Sequence, residues 1–148
     1  MRFPSPSSSP PGQAAHVLPI RIYYEDTDAA GVVYYASYLR FCERARTEWL
    51  RSLGFQQQQL LTARGIAFVV RSVDARFLSP ARLDDALELV TRIVELRGAS
   101  LTFEQQLFRE GELLFDSRIG IACIDTLRNR PTPIPQDMRI SMQTSNPT

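Results

Sequence analysis

Glu25, Asp26 and Asp28 crowd into one short stretch, and Gly31 follows closely enough to let the backbone fold back. A helix-periodic segment begins a few residues later. The first turn of a helix carries unpaired N–H groups and partial positive charge. A carboxylate at Asp28 facing those groups can attack a carbonyl or activate water, while an N–H holds the developing oxyanion. A thioester suits so spare a site, because its leaving thiol has a pKa of about 8–9 and needs little general-acid help. The plainer reading is that Asp26 and Asp28 cap turns and the start of the helix. Residue types alone leave both readings open.

Other chemistries lack their parts. The only histidine is His16, in a Ser/Pro-rich stretch, so Ser-His-Asp, Cys-His and histidine-metal arrangements are not expected inside the domain. All seventeen basic residues are arginine, which excludes Schiff-base lysine chemistry and a P-loop lysine. The glycines at 54, 65, 98, 111 and 120 do not match a nucleotide fingerprint. No metal and no cofactor is expected. Net charge is +1, too small to draw nucleic acid. Cys42 and Cys123 lie in apolar surroundings and read as buried thiols of a reducing compartment, the cytoplasm. No apolar run approaches the roughly 20 residues of a membrane span, and Met1 to Gln13 lacks the apolar centre of a signal peptide.

These residues must be positioned by a single domain of ordinary globular composition, 44% hydrophobic and 22% charged. Residues 1–17 read as a disordered tail, and 18–24 alternate apolar and polar residues as a half-buried strand. The carboxylate loop spans 25–33. Tyr38, Phe41, Cys42, Ala45, Trp49 and Leu53 recur at steps of three and four, which predicts a helix over 38–53 with Ser37 as N-cap and Gly54 just past its end. A short helical turn is expected over 56–64. Strands are expected over 66–78, 86–96, 100–109 and 112–125, separated by short turns such as Glu110-Gly111. The domain then spans 18–135, and 136–148 reads as a tail with one loose helical turn. The fold class is α+β: a five-stranded antiparallel sheet wrapped around one long helix, its free edges left for a partner subunit.

The stretch from Tyr24 to Tyr38, Tyr-Glu-Asp-Thr-Asp-Ala-Ala-Gly-Val-Val-Tyr-Tyr-Ala-Ser-Tyr, resembles the signature of the 4-hydroxybenzoyl-CoA thioesterase family. Within that family it is most similar to acyl-CoA thioesterases associated with the Tol–Pal envelope system. The likeness continues through Phe41–Glu48, Ala67–Arg71, Pro80–Asp85 and Arg97–Leu101, covering about 20–128. The resemblance implies a hotdog fold, a CoA thioester substrate, and subunits paired as a homodimer or homotetramer. It also implies a peripheral association with the inner membrane or an acyl carrier protein. It places the catalytic carboxylate on Asp28 and the oxyanion donor on the backbone N–H of Tyr35. The pattern usually carries histidine at the position of Tyr35, and a backbone donor survives that swap.

Gly31, Val32, Val33, Tyr34, Tyr38 and Arg71 are the candidate substrate-binding residues. Tyr34, Tyr35, Tyr38 and Phe41 suit an acyl pocket or a core equally well. Arg71, Arg76 and Arg97 are candidates for CoA phosphates. Glu43 is weighed as a helical base against a structural partner for arginine, and Asp84-Asp85 reads as a turn. The competing function is a non-catalytic module that binds acyl-CoA or an acyl carrier protein. A dehydratase of the same fold ranks below both, since it wants a histidine base.

Overall fold

The computed structural model describes residues 15–145. The alternating segments pair antiparallel throughout, in the spatial order β1-β3-β4-β5-β2. These strands are β1 (His16–Arg21), β2 (Ile66–Phe77), β3 (Ala86–Leu96), β4 (Ser100–Arg109) and β5 (Glu112–Asp125). A two-residue strand, β6 (Arg130–Pro131), pairs with the end of β5, so the sheet has six strands instead of the five expected. Register shifts at Val70/Ser72, Ile93/Glu95 and Leu107/Phe108 bend the sheet.

The curved sheet wraps α1 (Tyr35–Ser52). Tyr38, Phe41, Cys42, Ala45, Trp49 and Leu50 bury one flank of the helix, close to the stripe the spacing predicts. Burying each large member contributes roughly 1.5–3 kcal/mol. A polar tie fixes how α1 sits. Gln105, fully buried on β4, donates to the Cys42 carbonyl and to Thr91 Oγ1, both at 3.0 Å, and accepts from Arg46 at 2.9 Å. All its groups are paired, so its burial is compensated. The helix ends as expected: Gly54, at φ +94°, donates to the Arg51 carbonyl, and Phe55 donates to that of Leu50. A short turn, α2 (Gln57–Gln59), runs into a π-helical stretch at Leu60–Arg64. This is the hotdog arrangement.

The strand expected over 18–24 ends at Arg21, and Tyr24–Asp26 form a single 3-10 turn; three further boundaries differ from the sequence reading. First, β1 starts at His16, which stands opposite Thr91 in the sheet and not in a tail; residues 1–14 of the expected tail lie outside the described residues. Burial lowers the His16 pKa, opposed by the Glu48 carboxylate. Second, α1 starts at Tyr35. Ser37 is therefore no cap, but sits buried in the first turn. Third, the expected tail holds α3 (Gln136–Ser145). Ile134, Met138 and Met142 recur every fourth residue and close the end of the core beside Trp49 and Phe103. An Arg64–Asp137 ion pair at 2.7 Å braces it and holds the Asp137 carboxyl down at about 2. Met138→Ala should lower unfolding free energy by about 2–5 kcal/mol, read by denaturant titration; a loss below 0.5 kcal/mol would return 136–145 to the status of a tail. Among the described residues no helix is long and apolar enough to cross a membrane.

Candidate active site

The carboxylate loop is a small hairpin. Tyr34 N–H donates to the Asp26 carbonyl at 3.0 Å, Thr27 lies opposite Val33, and Asp28 N–H donates to the Val32 carbonyl at 2.9 Å. The tip turns at Gly31, whose N–H donates to the Asp28 carbonyl at 3.0 Å. Its φ of +79° is the left-handed conformation such three-residue loops need at that place. The second arm is backed by 81–83: Val33 N–H donates to the Ala81 carbonyl at 2.8 Å, and Val32 bridges Arg82. The hairpin is thus held from both sides, with Asp28 on one arm and the start of α1 continuing from the other.

Tyr34 is the N-cap of α1, extended at φ −62° and ψ 132°, and its side chain makes no cap bond. Tyr35 is the first helical residue. Among the described residues no hydrogen bond takes up the backbone N–H of Tyr35 or Ala36, as expected of a first turn. Asp28, Thr27, Glu25, Tyr34, Ser37 and Arg40 surround one open depression there. The Asp28 side chain is exposed, and its Oδ1 accepts the Ala30 N–H at 2.8 Å. The Tyr34 and Tyr35 rings lie 4.8 Å apart, and the hydrogen bond between their phenols raises the Tyr34 pKa.

The structure gathers Asp28 and Tyr34 at this depression, with Gly31 and Val32 in the hairpin that shapes it; Tyr35 itself does not line it, but stands between Tyr34 and Ala36, which do. It does not gather the rest. Val33 is core, and Tyr38 is buried, its ring stacked on Phe115 at 5.0 Å and its hydroxyl accepting the Ala81 N–H. Arg71 is the unpaired residue at the β2 bulge, exposed and apart from the depression. Arg97 is exposed and paired with Glu95 at 3.0 Å. His16 stands at the far end of β1, roughly 16 Å of strand from Arg21. Both cysteines are buried and free, and burial pushes each thiol up to about 11, so neither is a thiolate nucleophile at neutral pH.

Sequence reasoning missed two features. One is a cavity of about 280 Å³ further along α1, between apolar side chains such as Trp49, Phe68, Phe103 and Met142, with Glu43 and Arg46 from the helix. It is assembled from six elements, α1, α2, β2, β4, β5 and α3, and no local pattern announces it. The other is the difference between the neighbouring aspartates: Asp26 is buried, 7% exposed, while Asp28 is not.

With this geometry in place, the comparisons are decisive at the level of family. The model of the thioesterase-like superfamily matches residues 23–141, and the chain belongs to that family. The resemblance read from the Tyr24–Tyr38 stretch is borne out. Among its relatives is the acyl-CoA thioester hydrolase YbgC of Escherichia coli O6:H1, 49% identical over 121 residues, covering 81% of this chain and 90% of that protein. The acyl-CoA thioesterase YbgC of Haemophilus influenzae is 46% identical over 122 residues, covering 82% and 90%. A solved structure of a probable thioesterase from Bartonella henselae superposes with a TM-score of 0.79 at 38% identity, covering 82% of this chain and all of that one.

Proposed function

We propose that this chain is an acyl-CoA thioesterase, hydrolysing the thioester bond of a CoA substrate to a free acid and CoA. The observation that carries the reading is the hairpin, which brings Asp28 to a depression bordered by Tyr34 and Ala36 at the first turn of α1, the turn whose Tyr35 N–H is unpaired among the described residues. The thioester carbonyl oxygen rests on the Tyr35 N–H, and the Asp28 carboxylate faces the carbonyl carbon. Asp28 either attacks that carbon or removes a proton from an attacking water. The negative charge that gathers on the oxygen is held by an N–H that needs no reorganisation. The thiolate of CoA then leaves, with little demand for an acid; on the nucleophilic route water hydrolyses the acyl–Asp28 anhydride to the free acid, and on the general-base route the proton taken by Asp28 passes to the thiolate. The acyl group runs along α1 from Ser37 and Arg40 toward the 280 Å³ cavity that Glu43 and Arg46 share with Trp49, Phe68 and Phe103. The relatives' names support the substrate class.

Incubation with a panel of acyl-CoA thioesters, read by mass spectrometry, should yield free acid and CoA for at least one acyl group. Stoichiometric binding with no product across the panel would favour the non-catalytic acyl-CoA or carrier-protein binding module instead.

The working form is a homo-oligomer, a dimer or tetramer acting in the cytoplasm. β2 has β5 on one side only among the described residues. Its twelve residues leave Val70, Val73 and Phe77 about half exposed, an edge that invites strand pairing. An exposed Asp28 and an open depression in one chain fit a site completed by a second copy. Sedimentation at assay concentration should show dimers or larger species, and Val70→Lys with Val73→Lys should shift it to monomer and remove activity. Fully active monomers would contradict this assembly.

A further inference from the structure

We infer that Asp26 is a positioning residue for the reaction, acting with Arg40 as a strap between the hairpin and the first turns of α1; this rests on the assignment of Asp28 and the Tyr35 N–H made above. Every polar group of Asp26 is used in setting that geometry. Its N–H donates to the Tyr23 carbonyl at 3.0 Å, and its Oδ2 accepts the Tyr23 N–H at 2.9 Å. Its carbonyl accepts the Tyr34 N–H at 3.0 Å, which forms the base rung of the hairpin. Its Oδ1 accepts from Arg40 Nη2 at 3.3 Å, and the same nitrogen donates to Ser37 Oγ at 2.8 Å.

Consider what these bonds connect. Asp28 is two residues beyond Asp26 on one arm, and Tyr35 is one residue beyond Tyr34 on the other. The bonds to 81–83 hold the second arm from behind. The Asp26–Arg40 bond adds a direct tie from the first arm to the helix, because Arg40 stands on α1 itself, one turn and a half beyond Tyr35. Ser37 holds the guanidinium from the helix side, so the strap is preformed. The buried carboxylate needs such a partner. A misplacement of about 1 Å between reacting groups costs on the order of a hundredfold in rate. The strap therefore acts on the chemical step; Arg40 also borders the depression, so the split between kcat and KM separates positioning from contact with substrate.

The test is steady-state CoA release by the full chain with Arg40→Ala and Asp26→Asn, each checked by circular dichroism and a thermal melt. Arg40→Ala leaves the Asp26–Tyr23 bonds in place and decides the matter if Asp26→Asn does not fold. In the folded variants kcat should fall roughly tenfold to a hundredfold, with KM within about threefold of the parent. Arg40→Lys, which keeps a cation in reach of Asp26, should recover most of the loss. A folded Arg40→Ala enzyme with parental kcat would overturn the proposal. So would a raised KM at unchanged kcat, which would make Arg40 a substrate ligand. An Asp28→Asn control separates the two readings: if it is inactive while Arg40→Ala is not, only the strap fails; if it is fully active, the site assignment itself fails.

Discussion

Asp28→Asn should yield a folded, oligomeric protein that binds CoA thioesters yet releases CoA about a thousandfold more slowly than the parent. The amide retains the shape of the side chain and the Oδ1 that accepts the Ala30 N–H, so the turn persists. It can neither attack a carbonyl nor take a proton from water. A general base contributes roughly 10²–10⁴ in rate, so a thousandfold loss corresponds to about 4 kcal/mol of barrier. The side chain is exposed, so the melting temperature should move little. Calorimetric titration with CoA, run beside the rate assay, separates lost chemistry from lost binding. A parental rate in the variant would remove Asp28 from the mechanism.

The second large effect is expected at Tyr35, and it depends on the backbone alone. Proline at 35 deletes the N–H that is to hold the oxyanion. Losing one such donor costs about 10²–10³ in kcat, or 2.7–4 kcal/mol. The fold should tolerate the change, because Tyr35 is the first residue of α1, where proline is favoured. The residue before a proline must be extended, and Tyr34 already is, at ψ 132°. Tyr35→Phe and Tyr35→His keep the N–H and should stay within roughly tenfold of the parent, about 1.4 kcal/mol. The tyrosine ring is exposed, so neither change opens a cavity. An active, folded Tyr35→Pro enzyme would exclude the backbone donor. A dead Tyr35→Phe enzyme would move the role to the phenol, whose partner is Tyr34.

The reach of the sequence follows from the range over which each signal acts. The strands from β2 to β5 are bounded by turn residues and were legible to within a residue, as was the Gly54 end of α1. The start of α1 was not, because Ser37 has the chemistry of a cap, while the true cap position is set by the bond from Tyr34 N–H to Asp26, which pairing across the hairpin decides. His16 looked like part of a polar stretch, but the partner that makes it a strand residue is Thr91, far along the chain. α3 carries only Met138 and Met142, with Ile134 just ahead of it, as buried anchors amid polar residues, a stripe too thin to read without the open core it fills. The family motif drew attention to Asp28 and Tyr35. It could not say that Asp26 is the buried member of the pair or that Tyr38 spends its hydroxyl on Ala81. Those are outcomes of packing, and local pattern carries no record of them.

The most direct test of the central claim is a crystal structure of the oligomer with a ketone analogue of acyl-CoA, in which a methylene replaces the thioester sulfur. The ketone oxygen is expected about 2.7–3.1 Å from the Tyr35 backbone nitrogen. The Asp28 carboxylate should face the ketone carbon, directly or through one water, with the acyl group directed along α1 toward the cavity beside Trp49. A ketone bound away from the first turn of α1, or turned so that Asp28 cannot approach its carbon, would contradict it.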